Sequence, residues 1–314
     1  MPCTRRRWFR RTGRRSGRCS RGRLTGELSG VGSALLVGGQ TQAQIDAIWA
    51  QYGLTHAYDA AERRDAFAVR TVTTADLRDA LRQGWADFLT HRGDLLFVGI
   101  IYPVVGFAAA AVALQDSLAP LFFPLAAGVG LMGPAVAGGF YELARRREQG
   151  LESDWSHFLD VVRRPSFDAF LAVAGLLFVL FFAWLAVAAG LYVALMGMAP
   201  PASLAAFLTR LFTTPEGWAL IVLGNLAGFA FSAAVLTVSV VAMPMLIDKH
   251  VDARTAIHTS RMAVMANKGA MLRWGLAVGA LLVAGSIPFF VGLAVVLPVL
   301  GYATWHLYTR LVAR

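Results

Sequence analysis

From Phe167 to Met196 the chain runs for 30 residues with a single charged side chain, Asp168, at its second position. A helix of about 20 residues, rising 1.5 Å per residue, crosses the roughly 30 Å hydrocarbon core of a bilayer, so this stretch spans with residues to spare. It is not alone. Hydropathy predicts six spans, at about 95–114, 120–143, 167–196, 218–247, 271–288 and 289–311. The expected fold is therefore all-α: a polytopic helical membrane protein whose six transmembrane helices form three hairpins. Composition agrees, with 57% hydrophobic residues, a mean hydropathy of +0.56 and 15% charged residues, where soluble domains carry about a quarter. The last two spans come from one apolar run, Met271 to Val312, expected to turn near Ser286-Ile287-Pro288. Proline removes an amide there and disfavours helix at the residue before it.

Each hairpin is preceded by an amphipathic segment. In the first, Thr73-Thr74-Ala75-Asp76 has a capping-box pattern, and Leu77, Leu81, Trp85 and Phe88 recur at helical spacing. In the second, Leu151, Trp155, Phe158 and Val162 do the same. The third sets an apolar face (Ala253, Ile257, Val264, Met271) against a basic one (Arg254, His258, Arg261, Lys268). Trp85, Phe88, Leu89 and Phe97 recur at a constant offset as Trp155, Phe158, Leu159 and Phe167, while Asp76, Gly93, Leu96 and Gly99 recur as Asp252, Gly269, Leu272 and Gly275. Three units, each a cytoplasmic amphipathic helix plus a hairpin, are expected over residues 71–314.

Orientation follows from the basic residues in the loops. With six spans, Arg145 to Arg147, Arg163, Arg164, Lys249, Arg254, Arg261, Lys268, Arg273, Arg310 and Arg314 share one side, and Arg210, in an expected far-side interfacial helix around Leu204 to Phe212, lies opposite. Both termini are then cytoplasmic in a bacterial inner membrane. Residues 1–70 form an Arg-rich and polar extension, expected to be partly disordered. Its first 23 residues hold ten arginines and no acid, so the other 19 basic residues balance the 19 acidic ones. Two readings of that tail stand: contact with an anionic surface, or sequence upstream of the true start. No specific nucleic-acid binding is expected. Leu24 to Gly39, broken by Glu27 and five glycines, is no signal-peptide core. Both cysteines, Cys3 and Cys19, lie in the tail, leaving the body without a disulfide or thiolate metal site.

Chemistry-bearing residues are few. No ionisable side chain falls inside a span away from its ends, where a charge costs at least about 2.5 kcal/mol. Asn225, within Gly224-Asn225-Leu226-Ala227-Gly228, is the one strongly polar side chain near a span centre, suited to a helix-to-helix hydrogen bond or, alternatively, a pore lining. Asp248 and Lys249 close span four, with Lys249 at a helix C-terminus and Asp248 placed to cluster with Asn267 or Arg261. Glu142 precedes three arginines and is expected to pair with one. His306, with Tyr302, Trp305 and Tyr308, reads as an interfacial aromatic belt rather than a ligand site. The six histidines are too scattered for haem or copper, and no cofactor, metal site or catalytic residue is expected. Nucleotide, hydrolase and zinc motifs do not occur.

The segments TADLRDALRQGWADF, IYPVVG, GFYELARRREQG, PMLIDKHVDARTAIHTSRMAVMANKGAMLRWG and GLAVVLPVLGYATWHLYTRLV, together covering about Thr71 to Val312, resemble a bacterial integral membrane family, domain of unknown function 2189. Some members carry a cytochrome c oxidase subunit label. The resemblance implies a histidine where this chain has Tyr302. The layout is also similar, in pattern only, to bacterial proteins with an amphipathic helix before each hairpin. The function expected is non-enzymatic: an assembly or envelope factor acting by packing and by contact with membrane lipids, a partner membrane protein or a second copy in a homo-oligomer. The alternatives are a small-solute transporter or channel and, more distantly, an oxidase-associated redox subunit.

Overall fold

A computed structural model of the chain describes residues 67–90, 120, 122–199, 201–288 and 290–313. The tail up to residue 66 and the first expected span, 95–114, lie outside the described residues. Those described are helical, with one isolated antiparallel bridge, Val69 to Val312, and no strand. Among the described residues three helical stretches are long and apolar enough to cross a membrane: Phe167–Met196, Pro215–Asp248 and Lys268–Ser286.

Helix α1 (Thr74–Thr90) starts at the capping box that the sequence announces. The Thr73 amide donates to Asp76 Oδ2 at 2.7 Å, and the Asp76 amide donates to Thr73 Oγ1 at 3.3 Å. The Thr73 hydroxyl, which also donates to Asp76 Oδ2 at 2.7 Å, and the Thr73 amide together hold the Asp76 carboxyl below its ordinary pKa. The inward face is Leu77, Ala80, Gly84, Asp87 and Phe88, with Trp85 turned outward at 47% exposure. The expected stripe through Trp85 is thus rotated, because the partner helix approaches so closely that small residues must face it.

The expected span at 120–143 is interrupted. It comprises α2 (Phe122–Leu131), α3 (Gly133–Val136) and α4 (Gly138–Glu148), with Pro134 in the first turn of α3. Proline cannot donate to the helical ladder, which accounts for the break. In α4, eight consecutive residues, Gly138 to Arg145, are buried. Nothing of α4 up to Arg145 faces outward.

The second amphipathic segment is a 3-10 helix, Trp155–Arg163, rather than an α-helix. A period near three turns Phe158 and Val161 inward and leaves Leu159 and Val162 at 67% and 51% exposure. The α-helical face drawn through Val162 is therefore wrong. The N-cap Asp154 accepts from the Ser156 amide at 3.0 Å and from its hydroxyl, which holds its carboxyl below the ordinary value. Phe158 seats edge-on against Phe140, over Gly139, where a Cβ would meet the ring at 2.5 Å.

Helix α5 (Phe167–Met196) buries Phe170, Val173, Leu177, Trp184 and Ala188, and exposes Leu171, Phe178, Val179 and Phe182. A helix apolar all round, with large side chains on its outer face, fits a lipid surround. Trp184 Nε1 donates to the Pro124 carbonyl at 2.9 Å, joining α5 to α2. Helix α6 (Leu204–Thr213) follows as expected, and Arg210 donates to the Met196 carbonyl at 2.8 Å.

Helix α7 (Pro215–Ser239) breaks at Val240 and Val241 before α8 (Ala242–Asp248). Pro244 explains the position, since its ring conflicts with the carbonyl four residues back, that of Val240. Ser260 repairs the break by accepting from the Val241 amide at 3.2 Å and donating to the Thr237 carbonyl at 2.8 Å. Ser260 belongs to α9 (Ala253–Ala266), whose buried face is Ala256, Thr259, Ser260, Ala263 and Val264. Of the expected apolar face there, Val264 is buried and Ala253 and Ile257 are half-buried. Helix α10 (Lys268–Ser286) ends at the expected turn, and α11 (Leu293–Leu311) is the last of the described helices.

At the Phe167 end of α5 these pieces form a collar. Helix α11 is its axis, packed by α1, α4 and α8 around the buried Tyr141, Trp274, Trp305 and Tyr308.

Candidate functional site

The buried charges gather in the collar, and they are paired. The Glu142 side chain is 1% exposed and receives two arginines. Arg145 donates through Nε at 3.1 Å and Nη2 at 2.7 Å; Arg164 donates through Nε at 2.9 Å and Nη2 at 2.8 Å. A planar guanidinium presents two parallel donors to a carboxylate, so both arginines are held in orientation as well as in charge. Helix α4 is thereby tied to the segment that leads into α5. Each residue of the Arg145-Arg146-Arg147 run has its own acceptor. Arg145 takes Glu142, Arg146 takes Asp160 at 3.4 Å, and Arg147 takes Asp87 at 2.9 Å.

Asp87 links three elements. From α1 it accepts from Arg147 of α4 and meets His306 Nε2 of α11 at 2.7 Å. Nearby, Trp305 Nε1 donates to Glu148 Oε2 at 3.1 Å and the Tyr308 hydroxyl donates to Asp248 Oδ2 at 2.8 Å. The aromatic cluster expected to sit as an interfacial belt is instead interior, with Tyr302, Trp305 and Tyr308 at most 1% exposed. The reason is that α11 is enclosed by α1, α4 and α8, and the polar tips of Trp305 and Tyr308 find their partners within the protein.

Asn267 stitches the start of the described body to the α9–α10 junction. Its Oδ1 accepts from the Val72 amide at 2.8 Å, and its Nδ2 donates to the carbonyls of Arg70 at 3.1 Å and Ala263 at 3.0 Å. Lys249 is the C-cap of α8, donates to the Ala313 carbonyl at 3.4 Å and stands over the Phe67 ring at 5.0 Å. So Asp248, Lys249, Asn267 and His306 all lie in the collar, each at a different joint. Asn225 is elsewhere. It is exposed on α7, and its Nδ2 donates to the Ile221 carbonyl of its own helix at 2.8 Å.

Residues 122–248 match the family model of a predicted integral membrane protein, DUF2189. Neither the curated proteins nor the solved structures contain a match to the chain. The DUF2189 segment holds Glu142, both of its arginines, Asn225 and Asp248, whereas Asp87, Asn267 and His306 lie outside it. The collar thus pairs residues of the DUF2189 segment with residues from both flanks. Among the described residues no group of three or more His, Cys, Asp or Glu is arranged to hold a metal.

Tyr302 stands apart. Among the described residues its hydroxyl is the buried side-chain polar atom with no hydrogen-bond partner, while its ring packs edge-on to Phe140 at 5.8 Å. Burying an unpartnered hydroxyl costs about 1–3 kcal/mol. Tyr302→Phe keeps the ring contact and removes the hydroxyl, so it is expected to raise stability by about 1 kcal/mol, read as a higher Tm of the detergent-solubilised protein. A fall in Tm would mean that the hydroxyl has a partner.

Proposed function

We propose that the protein is a six-span, non-enzymatic inner-membrane protein with both termini cytoplasmic, acting as an assembly or envelope factor through contacts with lipids and a partner protein or second copy. The observation that carries this reading is the use made of the buried charges. Glu142 and Asp87, together with the neutral amide of Asn267, are engaged across helix joints, so the collar is built as a clamp and its outer faces are left for contacts. The placement of basic residues supports the orientation: Arg147, Arg164, Lys249 and Arg273 bond within the collar, and Arg210 bonds at the Met196 end of α5.

Reconstitution into liposomes tests the reading against a transporter. No solute flux above that of empty vesicles is expected, and Asn225→Leu, on an exposed face, is expected to leave the protein unchanged in yield and Tm. A solute-dependent flux abolished by Asn225→Leu would overturn the proposal. A reporter fused after Arg314 is expected on the cytoplasmic side, and a periplasmic signal would overturn the orientation.

A further inference from the structure

We infer that the groove between α9 and the first turns of α5 is a binding site for one anionic phospholipid of the bilayer, with its phosphate on Arg254, His258 and Arg261 and an acyl chain laid along α5. The inference rests on the proposed membrane placement and deepens it by naming a ligand class and a site.

Arg254, His258 and Arg261 occupy one stripe of α9, four and three residues apart, and all three are exposed. They line an open groove of about 490 Å³ together with Ala172, Ala253 and Ile257. Among the described residues none of the three has a carboxylate partner. The contrast with the collar matters, because Arg145, Arg146, Arg147, Arg163 and Arg164 all do. Asp252 caps α9 by accepting from the Thr255 amide at 3.3 Å, and among the described residues neither it nor Asp168, a turn before Ala172, forms an ion pair with the stripe. Three donors without an anion on one wall of an apolar groove suit a phosphodiester.

The position of the groove selects a lipid over a free anion. Ala172 is the sixth residue of α5, about 8 Å along the helix from its start, where a spanning helix passes the headgroups. From Ala172 the same face of α5 continues through Leu176 and Val179, both exposed, at spacings of four and three. The cationic wall therefore opens onto an apolar track running toward the membrane interior. A free phosphate would use only the first part, whereas a diacyl lipid uses both.

The test is lipid retention by the full-length protein, exchanged into vesicles of equal phosphatidylglycerol and phosphatidylcholine, re-extracted in mild detergent and weighed by native mass spectrometry. Wild type is expected to keep phosphatidylglycerol in preference to phosphatidylcholine. Each of Arg254→Gln and Arg261→Gln should lower that preference about fivefold, and Ala172→Trp, which fills the groove without changing charge, should lower it as well. Arg163→Gln, an exposed arginine paired with Asp160, should leave it within twofold. The single variants alter exposed side chains, and an unchanged Tm shows that each is folded. An unchanged preference in folded Arg254→Gln and Arg261→Gln overturns the inference. So does full retention in Ala172→Trp with displacement by inorganic phosphate, which would mark a free-phosphate site. Either result in a protein that still gives a cytoplasmic reporter and no flux would leave the broader reading standing.

Discussion

Glu142→Ala is expected to destabilise the protein by about 3–5 kcal/mol, because it leaves Arg145 and Arg164 in the collar without their shared carboxylate. The magnitude follows from an asymmetry. A buried ion pair adds little net stability compared with an apolar replacement of both partners, but removing one partner strands the other charge away from water. Here one carboxylate serves two guanidinium groups, so a single substitution strands both. The measurement is Tm or denaturant unfolding in detergent. Two further variants separate charge from packing. Glu142→Gln keeps the shape and hydrogen-bonding oxygen but loses the charge, and should recover a minor part of the loss. Adding Arg164→Leu to Glu142→Ala removes one stranded charge and should recover more, so that the pair is non-additive by about 1–3 kcal/mol. Additive losses would show that Glu142 and Arg164 act independently.

The sequence disclosed the parts of the fold that depend on local composition. Phe167–Met196 has no charged side chain after Asp168 in its first turn, so its helix is legible to the residue, and Thr73 with Asp76 marks the start of α1 correctly. Periodicity failed where tertiary contact chose the geometry. Leu151, Trp155, Phe158 and Val162 match a period of 3.6 on paper, yet the segment is a 3-10 helix because Phe158 must reach the bare surface at Gly139. The breaks at Pro134 and Pro244 were encoded by those prolines and obscured by the length of the apolar runs around them.

The candidate site was legible in residue types but not in pairings. In the sequence His306 reads as part of an aromatic belt and Asn267 as a candidate partner of Asp248, and both prove to be joints. Their partners lie 219 residues away at Asp87 and 195 away at Val72. Asp87 carried an unread signal of its own. It falls on the stripe Leu77, Ala80, Gly84, Asp87, and a charge at a core-facing position implies a buried partner. Asn225, expected to make a helix-to-helix bond or line a pore, donates through Nδ2 to the Ile221 carbonyl one turn back in its own helix.

Gly84→Leu is expected to have an effect comparable with that of Glu142→Ala, for a steric reason. A Cβ on Gly84 would sit 2.6 Å from the Ala303 nitrogen and 2.7 Å from the Val299 oxygen, both backbone atoms of α11. Flexible side chains could yield, but these atoms move only if α11 moves, and α11 is held by Trp305 on Glu148 and Tyr308 on Asp248. Helix α1 must therefore lift away. Lifting it exposes Leu77 and Phe88, which at about 1.5–3 kcal/mol for each large side chain outweighs any strain the joint could absorb. It also withdraws Asp87 from Arg147 and His306. Amide hydrogen exchange should show α1 losing protection while α5 keeps its own. The discriminating variant is Gly84→Ala. In an open helix interior that change gains about 1 kcal/mol of helix propensity, so a loss of stability requires the backbone approach of α1 to α11. A gain would show that α1 does not rest on α11 at Gly84, and the joint through Asp87 would have to be redrawn with it.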